Sequence, residues 1–264
     1  MMKKVSTASL FFIVFTAFTL QGEIIETKRM NELHQYLEPG MLVVFDIDNT
    51  LIEPVQELGT DQWFGDRIKR YESYNMPFQA AKKKALREWQ AVQYITDVKL
   101  VEKGIDEIVS ALQKDGVPII GLTTRGMEMC IRAVDQLESV NIDLEKTAPT
   151  KEERYFFNGE GVVYTRGVLF TSNTPKGIAL RKFLASIDYH PKSILFVNDK
   201  LSHIKPLEEM CREDGIKFVG LRYGYLDEKA KNVRHHIAEV QWQHFGKILS
   251  DQAAEKILNE RQFR

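Results

Sequence analysis

Apolar residues fall into short continuous runs, and the stretches between these runs carry a helical spacing. The runs are Leu42-Val43-Val44-Phe45, Val117-Pro118-Ile119-Ile120-Gly121-Leu122, Ser193-Ile194-Leu195-Phe196-Val197 and Ile216-Lys217-Phe218-Val219-Gly220-Leu221. Short runs of this kind, rich in β-branched and aromatic residues, predict strands buried on both faces. Between them, Ile105, Ile108, Val109 and Leu112 recur at helical steps. So do Met127, Ile131 and Val134, then Leu180, Phe183, Leu184 and Ile187, then Ile204, Leu207, Met210 and Cys211. Strands alternating with helices predict an α/β domain whose sheet is parallel and whose crossovers are right-handed. Tyr155-Phe156-Phe157 and Val162-Val163-Tyr164 flank Gly159-Glu160-Gly161, which predicts a β-hairpin ahead of Val168-Leu169-Phe170. Glu23 to Leu37 reads as a helix ended by the Pro39-Gly40 turn signal, and the charged tail from about Val240 to Arg264 also reads as helical.

Two segments stand apart from this alternation. Met1 to Gly22 opens with Lys3 and Lys4 and continues as an uncharged apolar stretch from Ala8 to Leu20. That is the pattern of a cleaved export signal, and it is too short for a comfortable membrane span. No stable span is expected once it is removed. From Glu53 to about Leu100 the chain is polar, aromatic and mostly helical in pattern, longer than a simple crossover needs. Trp63, Phe64, Arg67, Arg70, Tyr71 and Tyr74 lie there. They either stack on a ligand or pack this segment onto the rest.

Composition adds limits. The chain has 264 residues and a formal net charge of -1. That balance does not point to nucleic acid or to an anionic membrane surface. Cys130 and Cys211 each sit among apolar helical positions, Ile131 and Val134 in one case and Leu207 and Met210 in the other. Both are expected as reduced core thiols.

The chemistry concentrates in Val43-Val44-Phe45-Asp46-Ile47-Asp48-Asn49-Thr50-Leu51. Asp46 and Asp48 leave the carboxyl end of a strand, where open α/β sheets bind ligands. Close carboxylates repel unless a cation joins them or one holds a proton. A carboxylate can attack phosphorus, a second can move protons, and magnesium suits such oxygens. The nonapeptide resembles the first motif of the haloacid dehalogenase (HAD) superfamily in its phosphatase form. Three further stretches follow in that family's order. In Leu122-Thr123-Thr124-Arg125, the resemblance implies that Thr123, or alternatively Thr124, binds the phosphoryl group. Arg125 stands where secreted acid-phosphatase relatives often carry Arg. In Asn173-Thr174-Pro175-Lys176-Gly177, Asn173 or Thr174 is expected to cap a helix, with Pro175 in its first turn. A cation such as Lys176 is unfavourable there, and the resemblance supplies its reason: neutralising the nucleophile and the phosphate. In Phe196-Val197-Asn198-Asp199-Lys200-Leu201-Ser202-His203, Asp199 matches the family's metal-binding acid. Asn198 stands where the family has Gly or Asp, and His203 where many relatives carry a further Asp. Asn198 offers a carbonyl oxygen only, and His203 contacts substrate or Asp199, or caps a helix.

The resemblance implies a HAD-like Rossmannoid three-layer α/β fold over residues 23–264, with a small helical cap inserted at about 54–100. It implies a magnesium-dependent phosphomonoesterase, with Mg2+ held by Asp46, Asp48 and Asp199 and a small-molecule phosphomonoester as substrate. Asp46 would be the nucleophile and Asp48 the acid and base. A group of bacterial secreted HAD-like proteins is also similar in Val168-Leu169-Phe170-Thr171 and in the stretch around Asn198. With the leader, this implies a periplasmic or secreted protein of a Gram-negative bacterium. The departures at Asn198 and His203 leave a second expectation, a secreted HAD-like binding protein that has lost turnover.

Overall fold

The computed structural model describes residues 22–245 and 248–262. The expected leader, residues 1–22, lies outside them except for Gly22. The described chain opens with strand β1 (Glu23–Thr27) and a 3-10 helix at Met30–Tyr36, not with the single helix that the sequence predicts. β1 pairs in parallel with the last strand of the sheet. That partner, together with the β-branched Ile24, Ile25 and Thr27, overrides the short helical pattern.

β2 (Leu42–Phe45) leads to β3 (Ile52–Pro54), helices α1 (Asp61–Ser73) and α2 (Phe78–Ile95), and β4 (Val98–Leu100). β3 and β4 pair antiparallel and form a stem for the helical hairpin α1–α2. α3 (Ile105–Lys114), β5 (Ile119–Thr123) and α4 (Cys130–Glu138) follow. The antiparallel run β6 (Arg154–Asn158), β7 (Glu160–Thr165) and β8 (Val168–Phe170) comes next. Helix α5 (Lys176–Ser186), β9 (Ser193–Asn198), α6 (Leu201–Glu213) and β10 (Lys217–Tyr223) complete the core. Helices α7 (Asp227–Lys231), α8 (His235–Gln243) and α9 (Asp251–Gln262) form the tail.

The main sheet runs β1-β10-β9-β2-β5-β8-β7-β6. From β1 to β8 every neighbour is parallel. β2 is central and entirely buried, as its uninterrupted apolar run requires. Strand alternation sorts its residues between two cores. Val43 and Phe45 face α3 and α4, whereas Leu42 and Val44 face α5 and α6. The result is the expected three-layer α/β fold with a mostly parallel sheet. From β2 the chain proceeds to β5 and β8 on one side, then returns to β9 on the other. The crevice at the carboxyl ends of β2 and β9 is therefore a topological switch point.

Packing departs from the sequence pattern in two places. On α4 the buried side chains are Cys130, Ala133, Gln136 and Leu137, while Ile131 is 81% exposed. The stripe Met127, Ile131 and Val134 therefore faces outward, and the sheet takes the face with smaller residues. Cys130 and Cys211 are both free and buried. The hairpin α1–α2 also recruits the tail. Leu58, Trp63, Trp89 and Val92 share a core with Ala238, and Trp242 and Phe245 pack against it. Trp63 and Trp242 have ring centroids 5.3 Å apart. Arg67 and Tyr71 are buried around Glu88. Of the aromatic and Arg set, Trp63, Arg67 and Tyr71 thus serve packing. Tyr74 is 67% exposed at the far end of the hairpin. Among the described residues, no helix is long and apolar enough to cross a membrane.

Gly177 lies where α5 crosses α6. A Cβ there would stand 2.3 Å from the Pro206 carbonyl oxygen. Gly177→Ala should lower stability by about 1–3 kcal/mol despite alanine's better helix propensity, because backbone must move to admit the methyl. Denaturant unfolding measures it, and an unchanged midpoint would contradict this packing account.

Candidate active site

Asp46 is the first residue beyond β2, and its N–H donates to the Val197 carbonyl of β9 at 3.0 Å. The chain then turns sharply. The amides of Thr50, Leu51 and Ile52 converge on the Ile47 carbonyl at 3.4, 3.0 and 3.1 Å, and Asn49 takes a left-handed φ of 62°. This turn holds Asp46 and Asp48 at the mouth of the switch point. Asp46 Oδ1 accepts the Ile47 amide at 2.9 Å and stands 2.7 Å from Lys176 Nζ. Both residues are buried, Asp46 at 5% and Lys176 at 3% exposure. A buried charge without its partner is strongly unfavourable, so the pair holds the two motifs together. Burial pushes the Lys176 ammonium below its ordinary range, although Asp46 works in the opposite direction.

Lys176 begins α5, with Pro175 as the cap residue and no side-chain cap. The expected cap by Asn173 or Thr174 is absent because Ser172 and Asn173 adopt left-handed φ values of 48° and 66°. That turn redirects the chain one residue later than the pattern predicts. The Thr171 and Thr174 hydroxyls are buried there and have no hydrogen-bond partner.

β9 delivers Asn198 and Asp199. The Asp199 amide donates to Thr50 Oγ1 at 3.2 Å, so the threonine of the first motif ties it to the fourth. Asn198 is fully buried, and its Oδ1 accepts the Lys200 amide at 2.7 Å. Burial, and then the like charge of Asp46, push Asp199 up to about 7. Lys200 pairs with Asp61 at the start of α1, a link between the core and the hairpin. Despite a burial cost, the carboxylates of Asp61 and Asp199 hold Lys200 above its ordinary range. His203 is half-buried with an unpartnered Nδ1. Burial, then the Lys176 charge, pull it down to about 4, so it is a neutral imidazole.

β5 ends at Thr123, which is buried, while Thr124 is half-buried. Thr123 Oγ1 accepts the Arg125 amide at 3.2 Å, which leaves its own hydroxyl proton available. Arg125 forms a fork on Asp48. Nε reaches Oδ2 at 2.9 Å and Nη2 reaches Oδ1 at 2.7 Å. Its Nη1 donates to Gln136 at 2.7 Å, and its guanidinium lies 5.4 Å from the Trp89 ring centroid. Gln136 Nε2 in turn donates to the Thr96 carbonyl at the end of α2, at 3.0 Å. Asp48 is therefore coupled through Arg125 to the base of the hairpin. Gln136 carries no signal in the sequence, since its neighbours read as an ordinary helix face.

Asp46, Asp199, Lys176 and Thr123 thus converge at one crevice. The Asp48 carboxylate engages Arg125, and no three acidic, His or Cys side chains gather as a metal cluster among the described residues. The site nevertheless fits a hard cation with few protein ligands. Two like-charged carboxylates face each other, and Asp199 Oδ1 is buried without a partner. Magnesium keeps several waters and needs only one or two carboxylates. Asn198 Nδ2 is likewise buried without a hydrogen-bond partner, as a donor awaiting an oxyanion would be, while Lys176 Nζ is held by Asp46.

The family model described as "Protein of unknown function (DUF2608)" matches residues 26–255. A Chlamydia pneumoniae protein named "Putative outer membrane protein" is 26% identical over 223 residues, covering 84% of each chain. A Chlamydia trachomatis protein of the same name is 24% identical over 236 residues, 88% of each chain. Among solved structures, a "Putative Phosphatase" from Clostridium difficile overlaps with a TM-score of 0.45 and 16% identity, covering 72% of this chain and 88% of that one.

Two expectations follow from the electrostatics. The folded state raises Asp199 from 3.8 to about 7 and so binds its proton more tightly than the unfolded state does. This contribution to stability is complete at low pH and is lost as the pH rises from about 4 through about 7. In the presence of chelator, Tm should fall over that window, and Asp199→Asn should remove this part of the slope. An unaltered slope would refute it. Separately, Arg125→Met should cost about 2–3 kcal/mol, somewhat below the range for a fully buried pair, because the Asp48 side chain is 25% exposed. The same change in an Asp48→Asn background should cost clearly less, as a double-mutant cycle by denaturant unfolding reads directly.

Proposed function

We propose that this chain, which belongs to the DUF2608 family, is an exported phosphohydrolase that cleaves a phosphomonoester through Asp46. The observation that carries this reading is the buried Asp46–Lys176 pair at the carboxyl end of the parallel sheet, 2.7 Å apart, amid unpartnered donors. A carboxylate held by a lysine in a donor-lined crevice is disposed to attack a phosphorus whose oxygens those donors receive.

In this scheme an Asp46 oxygen forms a bond to phosphorus as the ester P–O bond breaks. Asp48 delivers a proton to the leaving oxygen, which departs as the alcohol. Lys176 and the Thr123 hydroxyl hold phosphoryl oxygens. Asp48 then takes a proton from water, whose oxygen attacks phosphorus and breaks the aspartyl-phosphate bond. Inorganic phosphate leaves and Asp46 is restored. Both Asp48 oxygens accept from Arg125, so its acid role requires the fork to loosen when substrate enters. The connection from Arg125 through Gln136 to Thr96 supports a movement shared with the hairpin. A magnesium ion held by Asp46 and Asp199 would neutralise charge that builds on the phosphoryl oxygens. Catalysis on this reading is positioning and charge neutralisation.

The apolar leader at Met1–Gly22 and the outer-membrane name of the Chlamydia relatives support an envelope or secreted location. A second reading is a binding protein without turnover. The uncharged Asn198 and the occupied Asp48 carboxylate favour it.

Release of inorganic phosphate from a panel of phosphomonoesters, with magnesium and with chelator, separates the two. The phosphatase reading expects magnesium-dependent release that falls at least about a thousandfold in Asp46→Asn, as loss of a nucleophile does. A folded, cation-binding protein that releases nothing supports the binding protein instead, and Asn198→Asp would then test whether one charge restores turnover.

A further inference from the structure

We propose that the free end of the α1–α2 hairpin is a docking surface for an anionic lipid bilayer. Between Lys69 and Arg87 stand Lys69, Arg70, Lys82, Lys83, Lys84 and Arg87, against the single acid Glu72. This is a local excess of five positive charges in a chain of net charge -1, an asymmetry that the whole-chain balance conceals. Among the described residues, Lys69, Lys82, Lys83 and Arg87 have no ion-pair partner, whereas Arg70 pairs with Glu239 at 2.8 Å. Lys84 lies 4.2 Å from the Tyr71 ring centroid and remains exposed.

Internal packing does not account for these charges. The buried face of α2 is Ala81, Ala85, Trp89, Val92 and Gln93, and the lysines and Arg87 lie off that face. Nor do they serve the crevice. The start of α1 and the end of α2 face it, through Asp61 to Lys200 and Thr96 to Gln136. The α1–α2 connection lies at the opposite end of the hairpin, about 20 Å away for a thirteen-residue helix.

The apex chooses the occupant. Tyr74 and Phe78 flank the turn and are 67% and 51% exposed, beside Asn75 and Pro77. Solvent-facing turns ordinarily carry polar residues. An aromatic apex ringed by lysines is the composition of an interfacial anchor: rings enter the headgroup region while cations meet lipid phosphates. An acidic protein would satisfy the cations but would leave Phe78 without a reason, and a chain of net charge -1 does not point to nucleic acid.

Flotation of the whole chain with phosphatidylcholine vesicles, with and without phosphatidylglycerol, tests the assignment. The apolar stretch near the amino end is common to every sample, so the differences between variants are the reading. Lys82→Gln/Lys83→Gln should weaken partitioning onto anionic vesicles about fivefold per lysine, and added salt should weaken the parent similarly. Tyr74→Ser/Phe78→Ser should also weaken it, with thermal unfolding unchanged because these side chains are exposed. Equal binding by parent and both variants overturns the proposal. So does an aromatic variant that binds as the parent does, since the apex rings then do not enter the bilayer.

Discussion

The burial of Asp46 beside Lys176 is the constraint on which the rest of the site depends. A carboxylate at 5% exposure requires a cation, and the cation comes from a helix that starts more than a hundred residues later. For Lys176 to arrive there, α5 must begin at the right height against the sheet. Two left-handed residues, Ser172 and Asn173, turn the chain into place, and Gly177 lets α5 lie directly on the backbone of α6. Because α6 follows β9, the same contact sets the position of Asp199 and His203 relative to the pair. A single ionic requirement therefore ties two separate strands, β2 and β9, and two helices, α5 and α6, to one point.

That point retains an electrostatic imbalance. Asp199 is driven toward its neutral form by burial and by Asp46, and buried donors around it lack partners. Folding alone would favour removing such groups. Their persistence fits a crevice that completes its hydrogen bonds and its charge balance when a cation and an oxyanion arrive. Asn198 brings no charge to the site, only a buried amide. The burial of the remaining acids therefore matters more for cation binding.

The hairpin above the crevice is not an independent lid. Its core is shared with α8 through Trp63, Trp89 and Ala238, with Trp242 packed against them, and Arg234 joins Glu57 to Asp251 and Glu255 in the tail. Any displacement of the hairpin must carry the tail with it. Arg125 and Gln136 connect that assembly to Asp48, so the Asp48 carboxylate and the base of the hairpin share one hydrogen-bonded chain. Toward the far end the Arg70–Glu239 ion pair is the last such tie to the tail among the described residues, and beyond it the unpaired lysines and exposed aromatics collect.

The sequence by itself determined the strand and helix alternation, the order of the four short motifs and hence the residues that meet in the crevice. Continuous apolar runs force buried strands, and a parallel sheet brings their carboxyl ends together, so Asp46, Thr123 and Asp199 were legible as a set. Local pattern failed where a distant partner decides. Glu23 to Thr27 became a strand because β10 offered an edge, and Ile131 turned outward because the sheet accepted Ala133 and Leu137 instead. Net charge likewise averaged away a basic tip that only the hairpin geometry exposes. The fork of Arg125 on Asp48, the glutamine behind it and the union of hairpin with tail rest on contacts between residues 11 to 194 positions apart. Spacing along a chain carries no record of such contacts, and only tertiary packing, which decides what each buried polar group must satisfy, could reveal them.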